Sequence, residues 1–186
     1  LRPLVKPPES KSTSEISRSH HIQISESGLV TIAGGKWTTY RKMAEDTIDR
    51  AAMVAGVEFK KTKTKNQRIH GWLKNVDKKD PLSVYGSDRV AIEKIMEEND
   101  SMKEQLHPGL PYIKAEIVWA IRNEWAQTLE DILSRRVRAL LLDAEATMEV
   151  APKVAEIMAE ELGKDKKWQR QEVKEFAEIA KNYIIN

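Results

Sequence analysis

The chain has 186 residues, of which 40% are hydrophobic and 32% are charged, and its formal net charge is +2. This length suits one ordinary domain with part of another, and the absence of cysteine excludes disulfides, thiol catalysis and cysteine-based zinc sites. Charges interrupt each apolar stretch before it reaches the roughly 20 residues of a membrane-spanning helix, so we expect any membrane contact to be peripheral. The four histidines are scattered along the chain and predict no metal site.

The first elements of the chain form a predicted β-hairpin. Prolines and a polar run in residues 1–15 indicate an extended segment followed by a loop. Between residues 16 and 24, isoleucines alternate with polar residues, which predicts a strand. A turn at residues 25–27 and an apolar run at residues 29–33 complete the hairpin. Arg18 shares the parity of the isoleucines and is therefore expected to face inward.

A helix follows this hairpin. Thr38 or Thr39 can cap its N-terminus, and Gly56 can end it after Val54 or Ala55. The side chains expected on its buried face are Met43, Ile48, Ala51 and Ala52.

Residues 57–81 are predicted to be a linker, because they carry little helical pattern and include Gly71 and Asp80-Pro81. A basic cluster in this segment can attract anionic lipid or nucleic acid. No aromatic side chains alternate with its charges as base-stacking platforms, so we expect a solvated linker and no nucleic-acid binding. The cluster consists of Lys60, Lys61, Lys63, Lys65 and Arg68.

Residues 82–186 are predicted to form an all-α domain of five or six helices, because apolar residues recur at steps of three and four. The segment from His107 to Pro111 separates two of these helices. In the longest pattern, Thr128 and Asp131 form a predicted capping box that divides the pattern in two. The predicted helices lie at residues 87–98, 114–142, 150–162 and 168–184.

The run from Gly28 to Met43 carries most of the functional information. Its apolar strand ends in Gly34 and Gly35, and a helix N-terminus follows. Glycines allow a sharp turn and the close approach of a ligand, and the N–H groups of a helix N-terminus suit an anion or the edge of an electron-rich ring. The same arrangement also serves simple chain reversal, and the residues alone leave both interpretations open.

The string GGKWTTYRKMAEDTID closely resembles the end of the flavin-binding domain of FAD-dependent, aerobic glycerol-3-phosphate dehydrogenases. Three further segments are similar to the same family, in the same order along the chain. They are Arg2-Pro3-Leu4, Ser17-Arg18-Ser19-His20 and EIVWAIRNEWAQTLEDILSRRVRALLLDAEA.

The resemblance implies a mainly α fold in which residues 1–56 are a hairpin and helix from an α/β FAD-binding domain and residues 82–186 are a helical C-terminal domain. The chain contains no Gly-x-Gly-x-x-Gly turn for the FAD pyrophosphate. We therefore expect the C-terminal part of a longer flavoenzyme, inactive without the missing N-terminal FAD domain.

The family reaction is the oxidation of sn-glycerol 3-phosphate to dihydroxyacetone phosphate, and the resemblance implies where its substrate phosphate binds. The guanidinium of arginine is planar and permanently charged, and it can bind phosphate bidentately. Arg2 and Arg18 match arginines that the resemblance places beside the substrate. Lys36 is a further candidate, which faces either the substrate or the flavin.

On the flavin side, backbone N–H groups near a helix N-terminus can stabilise the negative charge that the ring gains with a hydride. The resemblance assigns this role to Gly34, Gly35, Lys36, Thr38 and Thr39. Trp37 is expected to be a packing residue.

A base must take the proton of the substrate hydroxyl, and His20 is the candidate because an imidazole can accept a proton near neutral pH. Alternatively, the base lies in the missing N-terminal part, and His20 is simply a polar residue of the strand.

The resemblance further implies electron transfer to a quinone, and a location in the cytoplasm, peripheral to the inner face of the cell membrane. Oxygen-reducing oxidases are similar over the same region, so the electron acceptor stays open. The remaining alternative is a helical docking or oligomerisation module without activity of its own, and a homodimer is a possible assembly.

Overall fold

The computed structural model describes residues 20–184. The chain divides into two compact units, Leu1–Arg68 and Ile69–Asn186, and this division falls inside the segment predicted to be a linker. The start of the second unit is tied to it by contacts: His70 Nε2 lies 2.7 Å from Asp88 Oδ2, and the N–H of Ser87 donates to the carbonyl of Gly71.

The first unit is a hairpin followed by a helix. Strands β1 (His20–Ile24) and β2 (Val30–Gly34) pair antiparallel, with His20 opposite Gly34. A short 3₁₀ turn (Trp37–Thr39) leads into α1 (Tyr40–Ala55), which packs on β2.

None of the described residues of this unit is buried. The prediction that Ile48 lies on a buried face of α1 is wrong, because its side chain is 66% exposed. A two-stranded hairpin covers only a narrow strip of a helix, and Met43, Ala51 and Ala52 occupy that strip as half-buried residues. The unit therefore presents apolar side chains on its surface.

The second unit is a helical domain with one continuous core. Its core combines apolar residues from all four helices of this unit, which confirms the mainly α fold expected from the sequence. The helices are α2 (Arg89–Glu98), α3 (Lys114–Glu124), α4 (Ala144–Leu162) and α5 (Lys166–Ala180).

This domain is not all-α, because the predicted break near His107 is a second hairpin. Strands β3 (Gln105–His107) and β4 (Leu110–Ile113) pair antiparallel. The N–H of Gly109 donates to Nδ1 of His107 at 3.0 Å, which closes the turn. Leu110, only 1% exposed, anchors the hairpin to the helical core.

The predicted division of the longest helical pattern is confirmed. Thr128 Oγ1 accepts from the N–H of Asp131, and Asp131 Oδ2 accepts from the N–H of Thr128, both at 3.1 Å. This reciprocal capping box begins a separate, wide helical turn of π type at Asp131–Arg136.

Helix α4 begins six residues before the predicted start at residue 150. Asp143 Oδ1 accepts from the N–H of Ala146 at 2.9 Å and caps the N-terminus. Pro152 therefore lies inside the helix, whereas the predicted start at residue 150 would have placed it in the first turn.

Replacement of Gly163, which ends α4 with φ +64°, is expected to destabilise the domain. An added Cβ would meet nothing within 4 Å, so Gly163→Ala carries only the conformational cost of a left-handed residue, about 1 kcal/mol. Gly163→Asn should cost less, because asparagine tolerates this conformation. Urea denaturation measures both, and an alanine variant as stable as the parent would contradict the argument.

Candidate functional site

The glycine turn after β2 is held tightly against α1. Gly34 and Gly35 have φ values of +78° and +82°, which favour glycine. A Cβ on Gly35 would lie 2.4 Å from Met43 Sδ and 3.3 Å from the Cβ of His20. The turn therefore depends on glycine both for its conformation and for its close packing.

Thr39 locks the segment that follows. Its Oγ1 donates to the carbonyl of Lys36 at 2.9 Å and accepts from the N–H of Lys36 at 3.3 Å. The N–H of Thr39 also donates to the Lys36 carbonyl at 2.9 Å. Of the four backbone N–H groups of residues 36–39, those of Lys36 and Thr39 are thus used inside the turn, whereas those of Trp37 and Thr38 take no part in this lock.

Trp37 is not a packing residue in this unit, contrary to the sequence expectation. Its side chain is 88% exposed, and its ring lies 5.9 Å from the ring of Tyr40 with a tilt of 32°. Lys36, Thr38 and Thr39 are also exposed. The turn consequently presents an ammonium group and two aromatic rings on one short stretch of surface.

His20 lies beside the turn and pairs with α1. Its Nε2 is 3.0 Å from Asp46 Oδ2, and Lys42 Nζ is 2.8 Å from Asp46 Oδ1. The hydrogen bond from Lys42, with a further contribution from His20, lowers the pKa of the Asp46 carboxyl below its usual range. Asp46 is therefore an ionised acceptor that orients the imidazole of His20.

The structure thus brings together six of the eight predicted site residues, five at the β2–α1 turn and His20 beside it on β1. Arg2 and Arg18 lie outside the described residues, so their predicted roles stay predictions. The exposed ammonium and helix N-terminus of this group suit an anion or an electron-rich ring. Its members are His20, Gly34, Gly35, Lys36, Thr38 and Thr39.

Two negative findings apply to the part of the chain that the structure describes. Residues 20–184 contain no cluster of three or more potential metal ligands, and none of their helices has both the length and the apolarity to cross a membrane.

Sequence reasoning missed a buried carboxyl group in the second unit. Glu116 is 3% exposed and accepts hydrogen bonds from the N–H of Ile113 at 2.8 Å and the hydroxyl of Tyr85 at 2.9 Å. Burial raises the pKa of Glu116 against the opposing effect of these donors. Burial and the Glu116 charge likewise raise the pKa of Tyr85. The sequence signal that could have revealed this group is a glutamate at the third position of a helix, because its side chain can accept a hydrogen bond from the N-cap backbone N–H.

Comparison with known proteins adds a family to this geometry. The family model described as the C-terminal domain of alpha-glycerophosphate oxidase matches residues 28–169. Over 99% of its own length, the chain is 36% identical to a probable mitochondrial glycerol-3-phosphate dehydrogenase of Caenorhabditis elegans. Over 94% of its own length, the chain is 37% identical to a similarly named protein of Dictyostelium discoideum.

The mitochondrial glycerol-3-phosphate dehydrogenase of Homo sapiens is 34% identical over 99% of the chain. The chain spans only 28%, 29% and 27% of the lengths of these three relatives, respectively.

Proposed function

The chain belongs to the family of glycerol-3-phosphate oxidases and dehydrogenases, and we propose that it serves as the C-terminal part of an FAD-dependent enzyme that oxidises sn-glycerol 3-phosphate to dihydroxyacetone phosphate. The observation that carries this proposal is the alignment of nearly the whole chain with glycerol-3-phosphate dehydrogenases. The exposed apolar side chains of the first unit are consistent with a surface that the rest of the flavin domain covers in the longer protein.

In this proposal, cationic side chains hold the substrate phosphate. Arg2 and Arg18 would bind it through their guanidinium forks. Lys36 would add a point charge from the exposed turn. The exposure of Lys36 supports a role toward a ligand rather than within the fold.

The residues at the turn would suit a flavin because Gly34 and Gly35, both with positive φ, form a tight turn directly before a helix N-terminus. FAD would supply the hydride acceptor. The N–H groups of Trp37 and Thr38 would stabilise the developing negative charge. Thr39 would hold those groups in place through its bonds to Lys36.

His20 is the proposed base for the substrate hydroxyl. In this role the ring would carry its proton on Nε2, which faces Asp46 Oδ2 at 3.0 Å, because an ionised carboxylate can only accept a hydrogen bond. The lone pair is then on Nδ1, and this atom would take the hydroxyl proton.

The electron acceptor proposed here is a quinone at a membrane with which the enzyme associates peripherally. The dehydrogenase names of the relatives favour this assignment, and those names place the relatives in mitochondria. An oxygen-reducing oxidase is the second candidate, because the matching family model is that of an oxidase. Hydrogen peroxide formation in air, compared with quinone reduction without oxygen, distinguishes the two.

The test of the proposed site uses the full-length enzyme with Arg18→Ala or Lys36→Ala. Loss of a charge-assisted contact to phosphate should raise KM for glycerol 3-phosphate about 10- to 100-fold, as measured by dye reduction. Lys60→Ala removes the same charge from the basic cluster and should leave KM unchanged. Variants with wild-type KM would refute the site, and a full-length protein without this activity would refute the function.

A further inference from the structure

The second unit contains a pocket unrelated to the glycine turn. Its volume is about 620 Å³, within the range of small-molecule sites. Most of its wall comes from the segment before α2, from β4 and from the residues after the π-type turn. The aliphatic part of the wall consists of Pro81, Val84, Pro111, Val137, Leu141 and Leu142.

The rim of this pocket is unusually apolar for a surface in water. Val84, Leu141 and Leu142 are 82%, 54% and 63% exposed. Tyr85 and Tyr112 also line the wall. An apolar ligand in the pocket would remove part of this surface from water, which is favourable at roughly 25 cal/mol per Å².

The polar groups of the pocket differ in what they offer a ligand. Glu116 is already bonded to Tyr85 and to Ile113. Arg136 donates from Nη2 and Nε to the carbonyl of Glu124, at 2.6 and 3.2 Å. Arg138 is exposed, and its guanidinium forms no hydrogen bond or ion pair within the described part of the chain. It is therefore the charged group at the rim with bonding capacity left over.

The backbone of Arg138 is also unusual. Its φ of +61° lies in the left-handed region, which costs a residue with a side chain about 1–2 kcal/mol. The conformation is held by the turn that follows, in which the N–H of Leu141 donates to the Arg138 carbonyl at 3.1 Å. Strained residues of this kind cluster at ligand sites, and here the strained residue is one that lines the apolar pocket.

We propose that this pocket binds a small amphipathic anion, whose apolar body contacts the aliphatic and tyrosine wall and whose anionic head group pairs with Arg138. The volume limits the ligand to a small molecule. The unpaired guanidinium selects for negative charge, and the apolar rim selects against fully polar anions such as inorganic phosphate.

The test titrates the full 186-residue chain at low salt with 2-naphthoate and with neutral 2-naphthol, which share the same ring system. Calorimetry should show naphthoate bound about tenfold more tightly, the gain expected from one charge-assisted contact. Arg138→Asn should remove this preference, and asparagine tolerates the left-handed backbone. Arg138→Lys should retain the preference. Arg135→Asn removes a neighbouring guanidinium that pairs with Glu130 and Asp131 and should leave binding unchanged.

A second variant tests the wall of the pocket. Leu142→Ser should weaken both ligands by the same factor, because it removes apolar contact and no charge. The proposal is overturned if neither ligand binds at millimolar concentration, if both bind equally, or if naphthoate keeps its advantage in Arg138→Asn. Unchanged circular dichroism of each variant shows that its fold is intact.

Discussion

Replacing Phe176 with alanine is expected to lower the free energy of unfolding of the helical domain by about 3–5 kcal/mol. Phe176 is 2% exposed and belongs to the single core of the second unit. It lies on α5, which packs against α4. Truncation removes the buried ring and leaves a cavity that a closely packed core fills only in part. Urea unfolding, followed by circular dichroism, measures the loss.

The neighbouring Lys174 provides the matched control. It lies on the same helix but is exposed, so Lys174→Ala should change the free energy of unfolding by less than about 0.5 kcal/mol. Phe176→Leu keeps most of the buried volume and should fall between the two. A loss below 1 kcal/mol for Phe176→Ala would mean that α5 is not an integral part of the core.

Local sequence patterns were sufficient for most helices. Periodicity located α5 because Phe176 and Ala180, four residues apart, mark its buried face. The capping box at Thr128 was readable because its partners are three residues apart. The start of α4 was misplaced because the true N-cap, Asp143, was not recognised. The β3–β4 hairpin was missed because its short strands gain their stability from burial against helices elsewhere in the chain.

The candidate site shows the same distinction between local and distant information. The glycine turn is continuous in sequence, so its strand, turn and helix could be predicted. The pair of His20 and Asp46 joins residues 26 positions apart, and no spacing rule predicts it. The exposure of Trp37 could not be predicted from the sequence either, because an aromatic residue at a turn packs only if another element covers it.

Replacing Glu116 with alanine is expected to lower the free energy of unfolding by about 2–4 kcal/mol at pH 5. The change leaves the Ile113 N–H and the Tyr85 hydroxyl, both bonded to Glu116, without a buried acceptor. An unsatisfied buried donor costs about 1–3 kcal/mol. Tyr85→Phe removes one of these donors together with its need for a partner, so its cost should be closer to 1 kcal/mol. Urea unfolding at fixed pH compares the variants.

The effect of pH separates the charge of Glu116 from its hydrogen bonds. Burial raises the pKa of Glu116 in the folded state, so between the unfolded value of about 4.3 and the folded value the folded state binds more protons. Stability contributed by this group is therefore complete below the unfolded pKa and is lost as pH rises through the folded pKa. Glu116→Gln removes the titration, and its amide can still accept from Ile113 while donating to the Tyr85 oxygen.

The glutamine variant should consequently gain stability relative to the parent as pH rises from 4 through the folded pKa of Glu116. All other titrating groups are common to both proteins and cancel in the difference. A stability difference between variant and parent that stays constant over this range would show that Glu116 titrates alike in the folded and unfolded states. A difference with the opposite slope would show that the two hydrogen-bond donors lower the pKa of Glu116 more than burial raises it. Coupling between Tyr85→Phe and Glu116→Gln in a double-mutant cycle then measures how much the bond of Tyr85 to the carboxyl differs in strength from its bond to the amide, because the bond from Ile113 is present in every member of the cycle.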